Sequence, residues 1–209
     1  MSVARRVSLC VALLAVVIGG CSKTNLTNLY HDPEHPSQPL DNLLVIAVER
    51  NPDLRRTWEQ AIAAEFQAHG VLATPSYQLF PTSLPDSQQA LVVIRRDDMN
   101  GAVVSHRLLP TQTADFGGGY DKNTVMSNQD YWRGWYQSYY QTVTLGGAPP
   151  EKEQKGRYQL DVWSRRDGGK FVWMGSTVEI DPTSVDKLRE EVTGQLVPEL
   201  SRRGVIPKN

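Results

Sequence analysis

Hydrophobic positions downstream of residue 41 follow either the spacing of helices or the runs and alternation of strands, and these patterns predict an α/β domain over residues 42–207. The continuous apolar run 43–48 is typical of a strand buried on both faces. Apolar residues then recur at helical spacing over 54–66, behind a capping asparagine, a proline and an early acid at 51–53. Gly70 is placed to end this helix in a left-handed conformation.

Short apolar runs in the next part of the chain predict further strands. Residues 71–80 indicate an edge strand, because they include a proline, and the run 90–94 indicates a buried strand. Asn100-Gly101 then separates 90–94 from a strand-like run over 102–109. Asn-Gly between two such runs favours a tight hairpin turn.

The carboxyl-terminal part predicts a second hairpin followed by a long helix. Residues 158–163 alternate as a half-buried strand does, and a Gly-containing turn leads to a returning strand over 171–180. An Asp-Pro pair at 181–182 opens the last helix, which Gly204 ends. Pro198 predicts a kink in it, because proline cannot donate a backbone hydrogen bond. Residues 205–207 are a candidate closing strand.

These elements give the order β-α-β-β-β-hairpin-α. We therefore expect an α/β (α+β) fold with a mixed, largely antiparallel sheet and two main helices on one face. A Gly- and aromatic-rich insertion interrupts the domain at residues 111–156.

The amino terminus has the pattern of a secretory signal over residues 1–20. Two arginines precede an apolar run of about a dozen residues, which is too short to span a hydrocarbon core that needs roughly 20. Ile18-Gly19-Gly20-Cys21 resembles the lipobox of bacterial lipoproteins. The resemblance implies cleavage before Cys21, a diacylglyceryl thioether on its sulfur and acylation of the new terminus. The alternative is an ordinary signal peptide that happens to contain a cysteine.

Residues 21–41 read as a polar, proline-containing tether. Such a composition favours an extended linker that would reach roughly 60 Å at about 3 Å per residue. Ser22 follows the expected lipidation site. In lipoproteins, aspartate at this position resembles a signal for retention in the inner membrane, so serine favours the outer membrane, with the periplasmic face favoured.

Charge and cysteine content narrow the possible functions. The mature chain has 20 basic and 23 acidic residues, a net charge of −3, which gives no basic surface for nucleic acid. The two cysteines are Cys10, inside the signal, and Cys21, so the folded part has neither a disulfide nor a cysteine zinc site. No metal or other cofactor is predicted.

Aromatic residues are concentrated at 131–140, which hold six of the thirteen tryptophans and tyrosines. Helical spacing would gather five of them on one face: Trp132, Trp135, Tyr136, Tyr139 and Tyr140. Three interpretations are open. The stripe packs on the domain's own sheet, binds a partner protein or glycan, or inserts at the lipid interface.

Catalytic motifs give little support for an enzyme. The most plausible constellation is Asp97, Asp98 and His106, which would suit a metal-assisted envelope hydrolase if the three side chains converged in a pocket. The favoured interpretation is a non-catalytic lipoprotein that binds another envelope component through the aromatic stretch.

From residue 43 to 207 the chain resembles uncharacterised proteobacterial envelope lipoproteins. The shared features are the buried strand, the Asn-Pro helix, the hairpin that ends in Trp173-Met174-Gly175 and the final helix. More distantly, it is similar to the domains of curli-secretion lipoproteins and to the TolB amino-terminal domain. The resemblance implies a fold and an envelope location, and no activity.

The lipobox generates the first prediction. Cys21→Ser should abolish acyl labelling, because no other cysteine remains in the mature chain. The variant should leave the membrane fraction or accumulate uncleaved. Unchanged labelling and unchanged fractionation would contradict the lipoprotein interpretation.

Overall fold

The structure, a computed structural model, describes residues 26–34, 36–108, 128–145, 155–166, 169–182 and 184–208. Within them lies one six-stranded sheet in the order β1-β6-β5-β4-β2-β3. The strands are β1 (Leu26–His31), β2 (Asn42–Val48), β3 (Leu72–Pro75), β4 (Gly101–Arg107), β5 (Tyr158–Ser164) and β6 (Lys170–Thr177). The pairs β2/β3 and β2/β4 are parallel and the other three are antiparallel. The expected α/β fold with a mixed, largely antiparallel sheet is confirmed.

Helices cover both faces of the sheet, so the expectation of two helices on one face was incomplete. They are α1 (Pro52–Ala68), α2 (Ser76–Leu79), α3 (Ser87–Arg96), α4 (Asn128–Leu145), α5 (Val185–Leu188) and α6 (Gly194–Arg202), with a π-helical segment, Arg189–Thr193, joining the last two. One core lies between the sheet and α1, α5 and α6. A second lies between the sheet and α3 and α4.

The β2-α1-β3 unit forms as the sequence predicts, except that the strand predicted over 71–80 ends at Pro75 and residues Ser76–Leu79 form the short helix α2. Asn51 caps α1 by accepting hydrogen bonds from the backbone N–H groups of Asp53 and Leu54, and Pro52 occupies the first helical position. Gly70 follows the helix with φ of 75°, the left-handed conformation that glycine adopts without steric cost. Trp58, on the buried face of α1, is 1% exposed.

The predicted strand at 90–94 is wrong, since these residues lie in α3. Asp86 accepts hydrogen bonds from the backbone N–H groups of Gln88 and Gln89, and the Gln89 side chain accepts one from the Asp86 N–H. This capping box starts a helix whose buried residues then follow helical spacing. A short apolar run cannot distinguish a buried strand from a buried helix by period alone.

Asn100-Gly101 does not form the predicted hairpin turn. It leads from α3 into β4, which pairs in parallel with β2. A Cβ at Gly101 would lie 2.5 Å from the Trp163 carbonyl oxygen, so close backbone approach explains the glycine. The Asn100 side chain hydrogen-bonds the Asp41 carboxylate and the Asn42 N–H.

The carboxyl-terminal helix is irregular upstream of the predicted kink. The π-helical segment ends at Thr193, whereas Pro198 lies within α6. Gly204 ends the helix with φ of 76°, as predicted. Val205 and Ile206 are buried but form no strand; Val205 accepts a hydrogen bond from the Leu40 N–H.

Part of the predicted tether belongs to the domain. Residues Leu26–His31, expected in an unpacked linker, form the edge strand β1 and pair antiparallel with β6. Leu26 is buried in the first core. Polar composition hid this strand, because its outward residues are solvent-exposed.

A buried ionic network joins β2, α1 and α2. The Glu59 carboxylate accepts hydrogen bonds from the Ala47 N–H at 3.1 Å, the Arg55 Nε at 3.0 Å and the Ser76 hydroxyl at 2.7 Å on one oxygen. Its other oxygen accepts the Tyr77 N–H at 2.6 Å. All four partners donate, which is the pattern that a carboxylate requires.

This network generates a stability prediction. Glu59→Gln removes the charge opposite Arg55 and turns an amide NH2 toward donors, so it should lower the free energy of unfolding by about 3 kcal/mol. Glu190→Gln, the same change at an exposed helical position, is the matched control and should change it by less than about 0.5 kcal/mol. Urea denaturation of residues 22–209 measures both, and equal effects would refute the assigned role.

Candidate functional site

The amino-terminal half of the aromatic stripe on α4 is part of the core. Trp132 and Tyr136 are both 0% exposed, and their rings stack with centroids 5.1 Å apart. Trp132 also contacts Trp163 of β5, with centroids 4.9 Å apart. For these two residues the structure agrees with the core interpretation, and they are not available as partner anchors in this arrangement.

Polar atoms of the same two side chains bind α4 to the start of α3. The Trp132 Nε1 donates to the Ser87 carbonyl at 3.2 Å, and the Tyr136 hydroxyl donates to the Pro85 carbonyl at 2.7 Å. Burial raises the pKa of Tyr136 well above its usual value, so this hydroxyl stays protonated and donates. These hydrogen bonds give partners to the two polar atoms, which would otherwise be buried without any.

The carboxyl-terminal half of the stripe is partly accessible. Tyr139, Tyr140 and Val143 are half-buried against the second core. Arg50, which follows β2, donates from Nε to the Val143 carbonyl at 2.9 Å and from Nη2 to the Thr144 carbonyl at 3.2 Å. A cation at the last carbonyls complements the negative end of the helix dipole. The Trp135 side chain lies outside the described residues.

A buried polar cluster lies beneath this half of α4. His106 on β4 stacks on the Tyr139 ring with centroids 3.6 Å apart, and its Nδ1 lies 3.8 Å from a carboxylate oxygen of Asp161 on β5. Gln159 donates to both Asp161 oxygens at 3.0 and 3.2 Å. All three polar side chains are buried.

His106 is neutral in this setting. Neither ring nitrogen has a hydrogen-bond partner in the part of the chain that the structure describes. Burial lowers the pKa of His106 to about 3. The sequence pattern assigned Gln159 and Asp161 to the exposed face of a half-buried strand. That was wrong, because α4 covers this face, and only the packing of α4 reveals the cluster.

The hydrolase constellation is contradicted by the structure. Asp97 and Asp98 follow α3 in an exposed turn, where Asp97 pairs with Arg96 at 2.7 Å and Asp98 with Arg165 at 2.6 Å. His106 lies toward the other end of β4, about 17 Å from Gly101 at the strand spacing. The Asp98 side chain is 90% exposed while His106 is buried. The three groups therefore cannot share a metal or a substrate.

The described residues offer neither a metal site nor a membrane-spanning helix. They contain no group of three or more histidine, cysteine, aspartate or glutamate side chains placed to hold a metal ion. No helix among them is long and apolar enough to cross a membrane. Cys21 and residues 1–20 lie outside the described ranges, so lipidation stays a prediction from the sequence.

Comparisons with known proteins give only distant structural likenesses. No protein-family model matches the sequence, and no curated protein matches it. A variant of the PelC dodecamer from Paraburkholderia phytofirmans is similar, with 9% identity, 90% of this chain and 100% of that chain covered, and a TM-score of 0.46. A second PelC dodecamer structure from this organism has 11% identity, covers 83% and 95%, and has a TM-score of 0.42. At these identities and scores, neither likeness bears on what this chain does.

The burial of Trp132 generates a prediction about α4. Trp132→Ala should lower the free energy of unfolding by about 3–5 kcal/mol, because it empties a large space in the second core. Arg133→Ala, at the adjacent exposed position, should change it by less than about 0.5 kcal/mol. Chemical denaturation of residues 22–209 measures the free energy of unfolding of both variants. A Trp132→Ala variant as stable as the parent would mean that α4 does not pack here.

His106 generates a pH prediction. With a pKa of about 3 when folded and 6.5 when unfolded, only the unfolded chain binds this proton between those values. The contribution of His106 to the free energy of unfolding should therefore be fully present above pH 6.5 and be lost as the pH falls toward 3. The full pKa difference corresponds to about 5 kcal/mol, and this is an upper limit because the nearby Asp161 carboxylate favours the charged ring.

The measurement is urea denaturation at several pH values between 7.5 and 4, for the parent and for His106→Gln. The variant cannot titrate at this position, so it should lose less stability on acidification. Parallel curves for the two proteins would show that His106 does not carry the effect.

Proposed function

We propose that the protein is a non-catalytic bacterial envelope lipoprotein that is anchored by acylated Cys21 and binds another envelope component, a protein or a glycan. The observation that carries the anchor is the sequence around Cys21. A basic start, a short apolar run and two glycines precede it, and the mature chain contains no second cysteine. Ser22 supports a location at the outer membrane, with the periplasmic face favoured.

The half-buried part of α4 is the best-supported binding surface. Of the five aromatic candidates, Tyr139 and Tyr140 are partly accessible, and Val143 extends the apolar strip by one helical turn. Tyrosine is favoured as an interface anchor, because it offers a large apolar area and a hydroxyl. Arg50 holds the carbonyl end of this helix, so the strip is positioned before a partner arrives.

A photo-crosslinking experiment tests the binding proposal. A benzophenone amino acid is placed at Tyr140 of the full acylated chain in cells. The matched control carries it at Val92, which is 62% exposed on the neighbouring helix α3. We expect a discrete adduct from position 140 and none from position 92.

Two treatments identify the partner class. Loss of the adduct with protease indicates a protein, and loss with a glycan hydrolase indicates a glycan. The same chain carrying Cys21→Ser should lose the adduct, because it no longer reaches the membrane-bound partner. An acylated chain that gives no adduct at position 140, or identical adducts at both positions, would contradict the proposed surface.

A further inference from the structure

The first strand of the sheet begins very close to the predicted lipid anchor. Only four residues separate Cys21 from Leu26, the first residue of β1. Even when fully extended, this link places the Leu26 Cα within about 17 Å of the Cys21 Cα. The reach is far shorter than the roughly 60 Å of an unpacked tether over residues 21–41.

The strand is an integral part of the sheet, so the short link constrains the whole domain. Leu26, Thr27 and Asn28 pair with Thr177, Ser176 and Gly175 of β6. A bulge at Leu29 is followed by renewed pairing of Tyr30 and His31. Leu26 contributes to the first core, so peeling β1 away would expose buried apolar surface.

Strand register identifies the end of the sheet that lies nearest the anchor. Leu26 pairs with Thr177, whose hydroxyl accepts the Tyr158 N–H at 2.9 Å, and Tyr158 pairs with Arg107. We call the row of neighbouring strand ends formed by Leu26, Thr177, Tyr158 and Arg107 the anchor end of the sheet. The opposite end begins at Asn42, which pairs with Leu72. Seven-residue strands such as β2 separate the two ends by about 20 Å.

The anchor end carries side chains that suit a phospholipid surface. Val178, the residue after β6, is 44% exposed. Tyr139 of the half-buried apolar strip on α4 stacks on His106 at this end. The described residues within two positions of the strand ends here include three arginines and two glutamates: Arg50, Arg107, Arg157, Glu49 and Glu179. Basic and aromatic residues are favoured at lipid headgroups.

We propose that the anchor end of the sheet rests against the phospholipid leaflet that holds the acyl chains, and that the four-residue link sets this orientation. The inference rests on the proposed lipidation of Cys21. It names a lipid surface as the ligand of this face, and it places the opposite end, with Leu72, away from the membrane.

Position-dependent quenching tests the orientation. Val178→Cys, Leu72→Cys and Val92→Cys each add one free thiol, because the Cys21 sulfur is a thioether in the acylated chain. Each full acylated variant is labelled with bimane and placed in phosphatidylethanolamine and phosphatidylglycerol vesicles that contain a lipid with a nitroxide on its headgroup. The label at 178 should be quenched several-fold more than the labels at 72 and 92, which are the more exposed positions in the folded chain.

A linker variant tests the cause. Twenty Gly/Ser residues inserted between Lys23 and Thr24 should reduce the quenching at 178 to the level at 72. Quenching at 178 that survives the insertion would overturn the role of the short link, and equal quenching at all three positions would overturn the orientation.

Mass spectrometry of the amino-terminal peptide separates failure of this inference from failure of the proposed function. An acylated chain with equal quenching at the three positions contradicts only the orientation. A chain without acyl groups on Cys21 contradicts both the lipoprotein proposal and the orientation that rests on it.

Discussion

The hydrogen-bond network around the buried carboxylate of Glu59 is the interaction on which the arrangement of this domain depends. β3 is only four residues long, and its pairing with β2 ends at Val45 and Pro75. The Ala47 N–H lies past this point, so β3 provides no acceptor for it. Glu59 accepts that N–H in place of a strand. Burial raises the pKa of Glu59, and the Arg55 charge with the Ser76, Tyr77 and Ala47 donors opposes the shift. Removing any donor leaves the buried charge of Glu59 less compensated. The resulting loss in the free energy of unfolding is much larger than the net stabilisation that the intact Arg55–Glu59 ion pair provides.

Arg55 extends this network toward the second face of the sheet. Its Nη1 donates to the carbonyls of Phe80 and Ser83 at 3.1 and 2.7 Å, which fixes the connection that leads to α3. The start of α3 then supplies the Pro85 and Ser87 carbonyls that bind Tyr136 and Trp132 of α4. Hydrogen bonds at both ends of the segment 80–87 thus connect the first core to the helix that covers the second. The aromatic stretch is first a structural element, and only its accessible end remains for a partner.

The two proposed contacts, with a partner and with the leaflet, lie toward the same end of the domain. Tyr139 stacks on His106 near the carboxyl end of β4, and β1 begins in the row that contains Arg107. A partner bound at Tyr139 and Tyr140 would therefore meet the domain close to the membrane. Beneath this surface the neutral His106 lies beside Asp161, and protonation of the imidazole on acidification would place a positive charge in a buried site.

The sequence by itself determined the elements whose signals are local. The Asn51 cap, Pro52 and Gly70 defined α1, and the alternation over 158–180 defined the β5-β6 hairpin, because capping, positive φ and strand period act within a few residues. The tertiary structure decided what depends on distant partners. β1 formed because β6 offers a pairing edge, and His106 and Asp161 became neighbours because β4 and β5 pair. The helix over 90–94 differs from these cases, because its capping box of Asp86 and Gln89 is a local signal that an interpretation from the apolar run alone overlooked. Whether Tyr136 is core or surface depended on α4 packing against the sheet, a long-range contact that helical spacing alone cannot specify.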